Sequence, residues 1–87
     1  MNMRAKRIIE TVAEVNPDAV WPTGFENAIV GWGYSAGSNP IFIMDAKIII
    51  NILKKRDHMK NDEAVEYFDY NIAGCYMADG PVYLFKE

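Results

Sequence analysis

Two β-rich runs separated by a short turn are the feature that most limits how this chain can fold. The first run covers residues 27–34 and the second covers residues 41–44. Residues 35–40 between them include serine, glycine, asparagine and proline, which favour the tight turns of hairpins. We therefore expect the two runs to pair as an antiparallel hairpin, so the fold contains a β-sheet.

Apolar residues at helical spacing occur on both sides of the hairpin. Residues 3–15 place five apolar side chains on one stripe, and an Asn-Pro pair ends the pattern. Asp45 is a suitable N-cap for a second helix over residues 46–56, whose lysines lie in the last turn, where the helix dipole favours positive charge. A third helix over residues 60–73 starts with acids and ends at Gly74. Three helices are therefore expected.

A third β-rich segment, residues 82–85, lies near the end of the sequence. The third helix is expected to bury Val65, Phe68 and Ile72. The elements then follow the order αββααβ, and we predict an α+β fold in which a small antiparallel sheet of about three strands packs against helices. The length of 87 residues fits one domain, residues 1–87.

Cysteine and histidine each occur once, as Cys75 and His58. One cysteine rules out an internal disulfide, and the two residues cannot complete a four-ligand Cys/His zinc site. They flank the third helix, roughly 20 Å apart if it is straight, so we expect no Cys/His catalytic pair and a buried, apolar role for Cys75. The glycines of residues 31–37 lie inside a strand and its turn, where phosphate-binding loops do not place them. The sequence therefore predicts a protein that is not an enzyme and has no metal site and no cofactor.

The distribution of charge argues against nucleic acid as the partner. The net charge is −3; residues 1–60 carry eight Lys and Arg against six Asp and Glu, whereas residues 61–87 carry one against six. Phosphate binding needs a basic stripe, which this pattern lacks. The apolar stretch after the basic N-terminus breaks at Glu10, too early for a signal peptide, and no run approaches the roughly 20 apolar residues that span a bilayer. We expect a cytoplasmic protein with no membrane partner.

The acids of the third helix form the first candidate binding surface. They stand among tyrosines, and aromatic rings with charge at their edge suit protein recognition. The alternative is a solvated helix face without a partner. We define the acidic-aromatic face by five residues, which we expect to contact a protein with a basic surface: Glu63, Glu66, Tyr67, Asp69 and Tyr70.

A second candidate is a pocket for a small molecule or nucleotide. Gly31 and Gly33 alternate with Trp32 and Tyr34, so one strand face is bare and accepts a close neighbour. We expect this bare face to meet the loop that carries Trp21. Core packing is the alternative for Trp21, while Tyr34 is expected to be exposed.

Two stretches of the chain have the sequence pattern of a protein family. The first is Gly-Phe-Glu-Asn-Ala-Ile-Val-Gly at residues 24–31; the second is Asp-Glu-Ala-Val-Glu-Tyr-Phe-Asp-Tyr-Asn-Ile-Ala-Gly at residues 62–74, continuing to Gly-Pro-Val-Tyr-Leu-Phe at residues 80–85. They resemble a family of small bacteriophage and prophage proteins with no established activity. The chain departs from that family at Lys60, where a capping Thr is usual, and at an Asp-Gly turn that replaces Gly-Glu. The start of the third helix is therefore expected to be less well capped, unless Asn61 caps it.

The resemblance implies a small accessory protein of a phage or mobile element, working in the bacterial host cytoplasm. Such proteins often act by stoichiometric binding of host proteins and include inhibitors of host defence proteins, such as anti-CRISPR proteins. Our leading hypothesis is therefore protein binding through the acidic-aromatic face. Two alternatives stay open, namely a small-molecule or nucleotide binder, and a structural homo-oligomer built through a sheet edge or exposed aromatics.

Overall fold

Three helices and a three-stranded sheet make up the fold, which a computed structural model describes over all residues 1–87. A single 3₁₀ turn, Glu26–Ala28, precedes the first strand, and a π-helical segment, Phe68–Ala73, continues the third helix. None of the helices combines the length and apolar character that a membrane-spanning segment requires. The elements in chain order are α1 (Met3–Val15), β1 (Ile29–Gly33), β2 (Ile41–Asp45), α2 (Ala46–Arg56), α3 (Asn61–Tyr67) and β3 (Val82–Leu84).

The sheet is mixed rather than antiparallel. Its strand order is β1-β2-β3, so β2 lies in the centre. The hairpin of β1 and β2 is antiparallel, as predicted, but β3 runs parallel to β2, with Ile43 opposite Val82 and Met44 opposite Tyr83. The prediction of an antiparallel sheet was therefore wrong for the third strand. α2 and α3 both lie between β2 and β3, and this long connection provides the crossover that a parallel pair requires, whereas a tight turn allows only an antiparallel pair.

The helices cover one face of this sheet and form the core with it. Phe42 and Met44 of β2 are 2% and 0% exposed, because alternate residues of a strand point to the same side and these two face the helices. The buried apolar residues form one contiguous cluster of 14 members. Its largest fully buried side chains are Phe42, Phe68, Ile29, Met44, Ile49, Leu53 and Val12.

Helix starts follow the sequence closely. Asp45 caps α2 as predicted, since its carboxylate accepts hydrogen bonds from the backbone N–H groups of Lys47 at 2.9 Å and Ile48 at 3.3 Å. At the start of α3 the carboxylate of Glu63 accepts from the backbone N–H of Lys60 at 3.1 Å. The N-cap position is therefore Lys60 rather than Asn61, and Glu63 supplies half of a capping box.

The buried stripe of the third helix differs from the predicted one at one position. Phe68 and Ile72 are buried, but Val65 is 37% exposed, and Ala64 is buried in its place. The observed stripe has a spacing of four residues, which turns Val65 about a quarter-turn away from the core. Cys75, expected to be buried, is exposed because it follows the helix end at Gly74 and falls in a turn.

A buried asparagine ties three separate segments together. Asn16, which follows α1, is 4% exposed. Its side-chain nitrogen donates to the carbonyl of Pro40 at 2.8 Å and to the carboxylate of Asp79 at 3.2 Å. Its side-chain oxygen accepts from the backbone N–H of Asp18 at 3.2 Å. These contacts fix the end of α1 against the loop before β2 and the loop before β3.

Candidate functional site

Four of the five residues of the acidic-aromatic face lie around one shallow depression. Glu63, Glu66, Tyr67 and Tyr70 line a hollow of about 440 Å³ on the outer side of α3 and the π-helical segment. Met59 and Asn71 complete its lining. Asp69 is exposed on the same segment but does not line the hollow. Helical spacing of three and four residues is what brings these side chains together.

The carboxylates of this face have no cationic partner within the molecule. The ion pairs in the structure are Arg56 with Asp57 at 3.1 Å and Lys86 with Asp45 at 3.6 Å. Glu63 is used locally, because it caps α3 and lies in the first turn, where the helix dipole favours negative charge. Glu66 and Asp69 lie beyond that turn, so neither capping nor the dipole explains them.

The two tyrosines present their rings to solvent beside these charges. Tyr67 is 41% exposed and Tyr70 is 76% exposed. A tyrosine ring provides apolar contact area and a polar hydroxyl, which suits the contact zone of a protein interface. Chemically, the face can attract lysine and arginine side chains and pack against their aliphatic stems. No group of three or more His, Cys, Asp and Glu side chains is placed to hold a metal ion.

Lys54, Lys55 and Arg56 form a basic cluster at the end of α2, and Arg56 makes contacts within the molecule. The Arg56 guanidinium donates to the Asp57 carboxylate and to the carbonyl of Gly24 at 3.3 Å, and it lies 4.7 Å from the centre of the Phe25 ring. The hydrogen bond between the two side chains raises the pKa of Arg56 and lowers the pKa of Asp57. Arg56 therefore anchors the loop before β1.

The residues proposed to form a small-molecule pocket do not converge. Trp21 lies on the helix side of the sheet, where its ring meets Phe42 edge to face at 5.4 Å and its Nε1 donates to Glu26 at 2.9 Å. Gly31 and Gly33 lie on the opposite side, beside Ile43. The structure thus separates Trp21 from the bare strand face by the thickness of the sheet, and the core-packing interpretation describes Trp21 better.

Trp32 and Tyr34 form a stacked pair at the end of the hairpin. Their ring centroids are 6.5 Å apart, with 21° between the ring planes. Trp32 is opposite Phe42 in the register and is 41% exposed. Tyr34 is 70% exposed, which confirms the prediction made for it. Trp32 therefore lies on the same side of the sheet as Phe42 and Trp21, where it stacks on Tyr34 at the surface.

A further hollow lies on the face of the sheet that the helices leave uncovered. We define the open sheet face by the residues that alternate with the core positions: Gly31, Gly33, Ile41, Ile43, Val82 and Leu84. A groove of about 730 Å³ runs over Ile41, Ile43 and Val82, between the loop at residues 34–39 and the loop at residues 76–80. Tyr76, which is 90% exposed, forms one rim of the groove; Tyr34 also lines it, but its ring stacks on Trp32. No lysine or arginine lines the groove.

Sequence reasoning missed this groove, although one signal pointed to it. The run Ile-Phe-Ile-Met at residues 41–44 is apolar at every position. Strands that have one face in water alternate apolar and polar residues, whereas strands buried on both faces are apolar throughout. β2 thus has the sequence of a strand covered on both sides, while the helices cover only one.

A smaller hollow of about 250 Å³ lies beside β3 and contains an unusual polar group. The hydroxyl of Tyr83 is buried and has no hydrogen-bond partner. Burial raises the pKa of this hydroxyl, and the nearby thiol of Cys75 adds a smaller increase. An unpaired buried hydroxyl lowers the free energy of unfolding. We therefore treat Tyr83 as a determinant of stability.

Comparison with protein-family models, with curated proteins and with solved structures finds no match to this chain. The resemblance to bacteriophage proteins therefore stays a prediction from sequence. Two surfaces of the molecule are available to a partner, the acidic-aromatic face and the open sheet face.

Proposed function

We propose that the protein acts by stoichiometric binding of another protein, whose basic surface contacts the acidic-aromatic face. The observation that carries this proposal is the pair Glu66 and Asp69, exposed carboxylates without an internal cation, beside the exposed rings of Tyr67 and Tyr70. No feature of the fold requires acids at these two positions. A partner that supplies lysine or arginine would provide the missing counter-charge.

Electrostatics favour this face over the rest of the surface. Like charges three residues apart on a helix repel each other by about 0.2–0.5 kcal/mol per pair, and Glu63, Glu66 and Asp69 form two such pairs. A basic partner relieves this repulsion and is steered toward the face before contact. The tyrosines then contribute the contact area that charge alone does not provide.

The resemblance to phage proteins supports a host protein as this partner. A phage-type accessory protein works inside a bacterial cell, and host nucleases carry basic surfaces because they bind the phosphates of nucleic acids. An acidic face can occupy such a surface and exclude the nucleic acid. We therefore propose a host defence protein as the target, with inhibition of an anti-CRISPR type as the outcome.

A capture experiment with charge-reversed variants tests the proposal. The tagged protein is used to capture partners from nuclease-treated bacterial lysate at low and high salt, and captured proteins are identified by mass spectrometry. We expect one enriched protein at low salt, at least tenfold reduced at high salt because exposed charges are screened. The double variant Glu66→Lys with Asp69→Lys should lose capture while keeping the wild-type circular dichroism spectrum.

A matched control distinguishes the effect of the acidic-aromatic face from the effect of the net charge of the protein. The double variant Glu10→Lys with Glu14→Lys changes the net charge equally, on exposed positions of α1. Capture should survive this change. Equal loss in both double variants would show that only net charge matters, and unchanged capture by the Glu66/Asp69 variant would exclude the acidic-aromatic face as the binding surface.

A further inference from the structure

We propose that the open sheet face is the interface of a homodimer in which two copies of this chain pack their sheets against each other. The first observation is β2, whose residues 41–44 are apolar on both faces although the helices cover one. Val82 and Leu84 of β3 extend the uncovered apolar surface and are 51% and 38% exposed. Neighbouring exposed apolar side chains bordered by an exposed aromatic ring, here Tyr76, are typical of interaction sites.

The charges around the open sheet face fit a second copy. No lysine or arginine lines the groove, and Asp79 is the one acid there, held by the side chain of Asn16. Asp45, at the end of β2 away from the groove, is 6% exposed and forms an ion pair with Lys86. A nucleic acid would find no cation in the groove, and Lys86 beside it is already paired with Asp45, so a strongly charged protein would find no free counter-charge. The open sheet face of a second copy is itself nearly neutral, so it needs neither a cation nor a counter-charge.

The position of the acidic helix removes the main obstacle to self-association. The chain carries a net charge of −3, concentrated after residue 60. α3 and the π-helical segment pack on the other side of the sheet, where Phe68 meets Tyr83 edge to face at 5.2 Å. Two copies joined through their open sheet faces therefore hold their acidic helices on opposite outer surfaces. The acidic-aromatic face stays accessible on both copies, so the dimer is independent of the proposed function.

The available area is sufficient for a weak, specific dimer. Strands about 4.8 Å apart with a rise of about 3.3 Å per residue, together with Tyr76 and the two loops beside the groove, offer roughly 500 Å² on each copy. Two copies would then bury roughly 1,000 Å², the lower limit of a specific interface. A symmetric interface uses the same surface twice, so a twofold arrangement lets Tyr76 of each copy enter the groove of the other copy.

Sedimentation equilibrium of the full chain tests the dimer. We expect a reversible monomer–dimer equilibrium between about 5 µM and 500 µM. Val82→Lys places a charge in the apolar interface and should shift the midpoint of dimer formation to at least tenfold higher concentration. Val65→Lys is the matched control, because Val65 is a partly exposed valine on α3, away from the open sheet face; it should leave the midpoint unchanged.

A second variant guards against misfolding of the first. Tyr76 is 90% exposed, so Tyr76→Arg removes a rim ring with little effect on folding, and it should weaken the dimer in the same direction as Val82→Lys. A monomer at every concentration would overturn the proposal and leave the face to a different occupant. A dimer that both variants leave unchanged would also overturn it, because the interface would then lie elsewhere.

Discussion

At the scale of single residues, Tyr83 stands out because the fold buries its hydroxyl without a partner. Its ring packs edge to face on Phe68 and contributes to the core, so only the oxygen is unfavourable. Removing a buried, unpaired polar atom recovers its desolvation cost. Tyr83→Phe should therefore raise the free energy of unfolding by about 1 kcal/mol, measured by urea denaturation. Tyr76→Phe, on an exposed ring, is the control and should change it by less than about 0.3 kcal/mol.

The pH dependence of this gain provides an independent check. Burial raises the pKa of Tyr83 in the folded protein, so the folded state binds this proton more tightly than the unfolded state does. Below about pH 10, the ordinary tyrosine range, the proton is bound in both states; as the pH rises further the unfolded state releases it first, and the free energy of unfolding of the wild type falls. The advantage of Tyr83→Phe over the wild type should therefore grow above about pH 10. An advantage that shrinks there would show that the folded protein binds this proton less tightly than the unfolded chain, and the hydroxyl would then not be desolvated.

At the scale of elements, local signals placed the helices and the last strand well but gave the wrong direction for the last strand. The start and end of α2 agree with the sequence because Asp45 and the basic last turn act within a few residues. The direction of β3 depends on where the α2–α3 crossover delivers the chain, and no local pattern states this. The π-helical segment was also missed, since apolar residues spaced by four occur in α-helices as well.

Binding surfaces, like elements, are predicted well from local patterns and poorly where two distant segments must meet. The acidic-aromatic face lies on one continuous helical stretch, so helical spacing alone brings Glu66 and Tyr70 to one side. The predicted pocket with Trp21 needed two segments to meet on a chosen face of the sheet, and the structure places them on opposite faces. The groove over Ile43 and Val82 arises only when β3 joins β2, so it depends on a pairing that no local pattern states.

The end of the π-helical segment yields a prediction at the same scale. A Cβ atom on Gly74 would lie 2.6 Å from the carbonyl oxygen of Asp69 and 3.3 Å from that of Tyr70. These are backbone atoms, which cannot rotate away as a side chain would. Gly74→Ala should therefore lower the free energy of unfolding by about 1–3 kcal/mol, measured by urea denaturation.

The control for Gly74 is another glycine with space around it. A Cβ atom on Gly31 would lie 4.0 Å from the Cβ of Ile43, an ordinary van der Waals contact. Gly31→Ala should keep or slightly raise the stability, because alanine loses less conformational entropy than glycine on folding. Equal stabilities of the two variants would mean that the helix end shifts freely, and the π-helical segment would then not be fixed by Gly74.

At the scale of the whole molecule, charge and apolar surface are separated onto different sides. The acids that lack cations lie on the helix layer, while the sheet layer is apolar and nearly free of charge. Folding can tolerate repulsion on α3 because the core under it is anchored by Phe68 and Ile72. This separation allows the helix layer to bind a basic protein while the sheet layer binds a second copy.

The same separation predicts opposite responses of folding and binding to salt. Salt screens the repulsion among Asp62, Glu63, Glu66 and Asp69, so the free energy of unfolding should rise by about 0.5 kcal/mol between about 0.02 M and 0.3 M sodium chloride. Urea denaturation measures this, because urea adds no ions. Partner capture should weaken over the same range, since there the charges attract. Glu66→Lys replaces repulsion by attraction along α3, so salt should lower the stability of that variant. A wild-type stability that falls with salt would show that the acids are already neutralised within the folded protein, and they would then no longer be available to a basic partner.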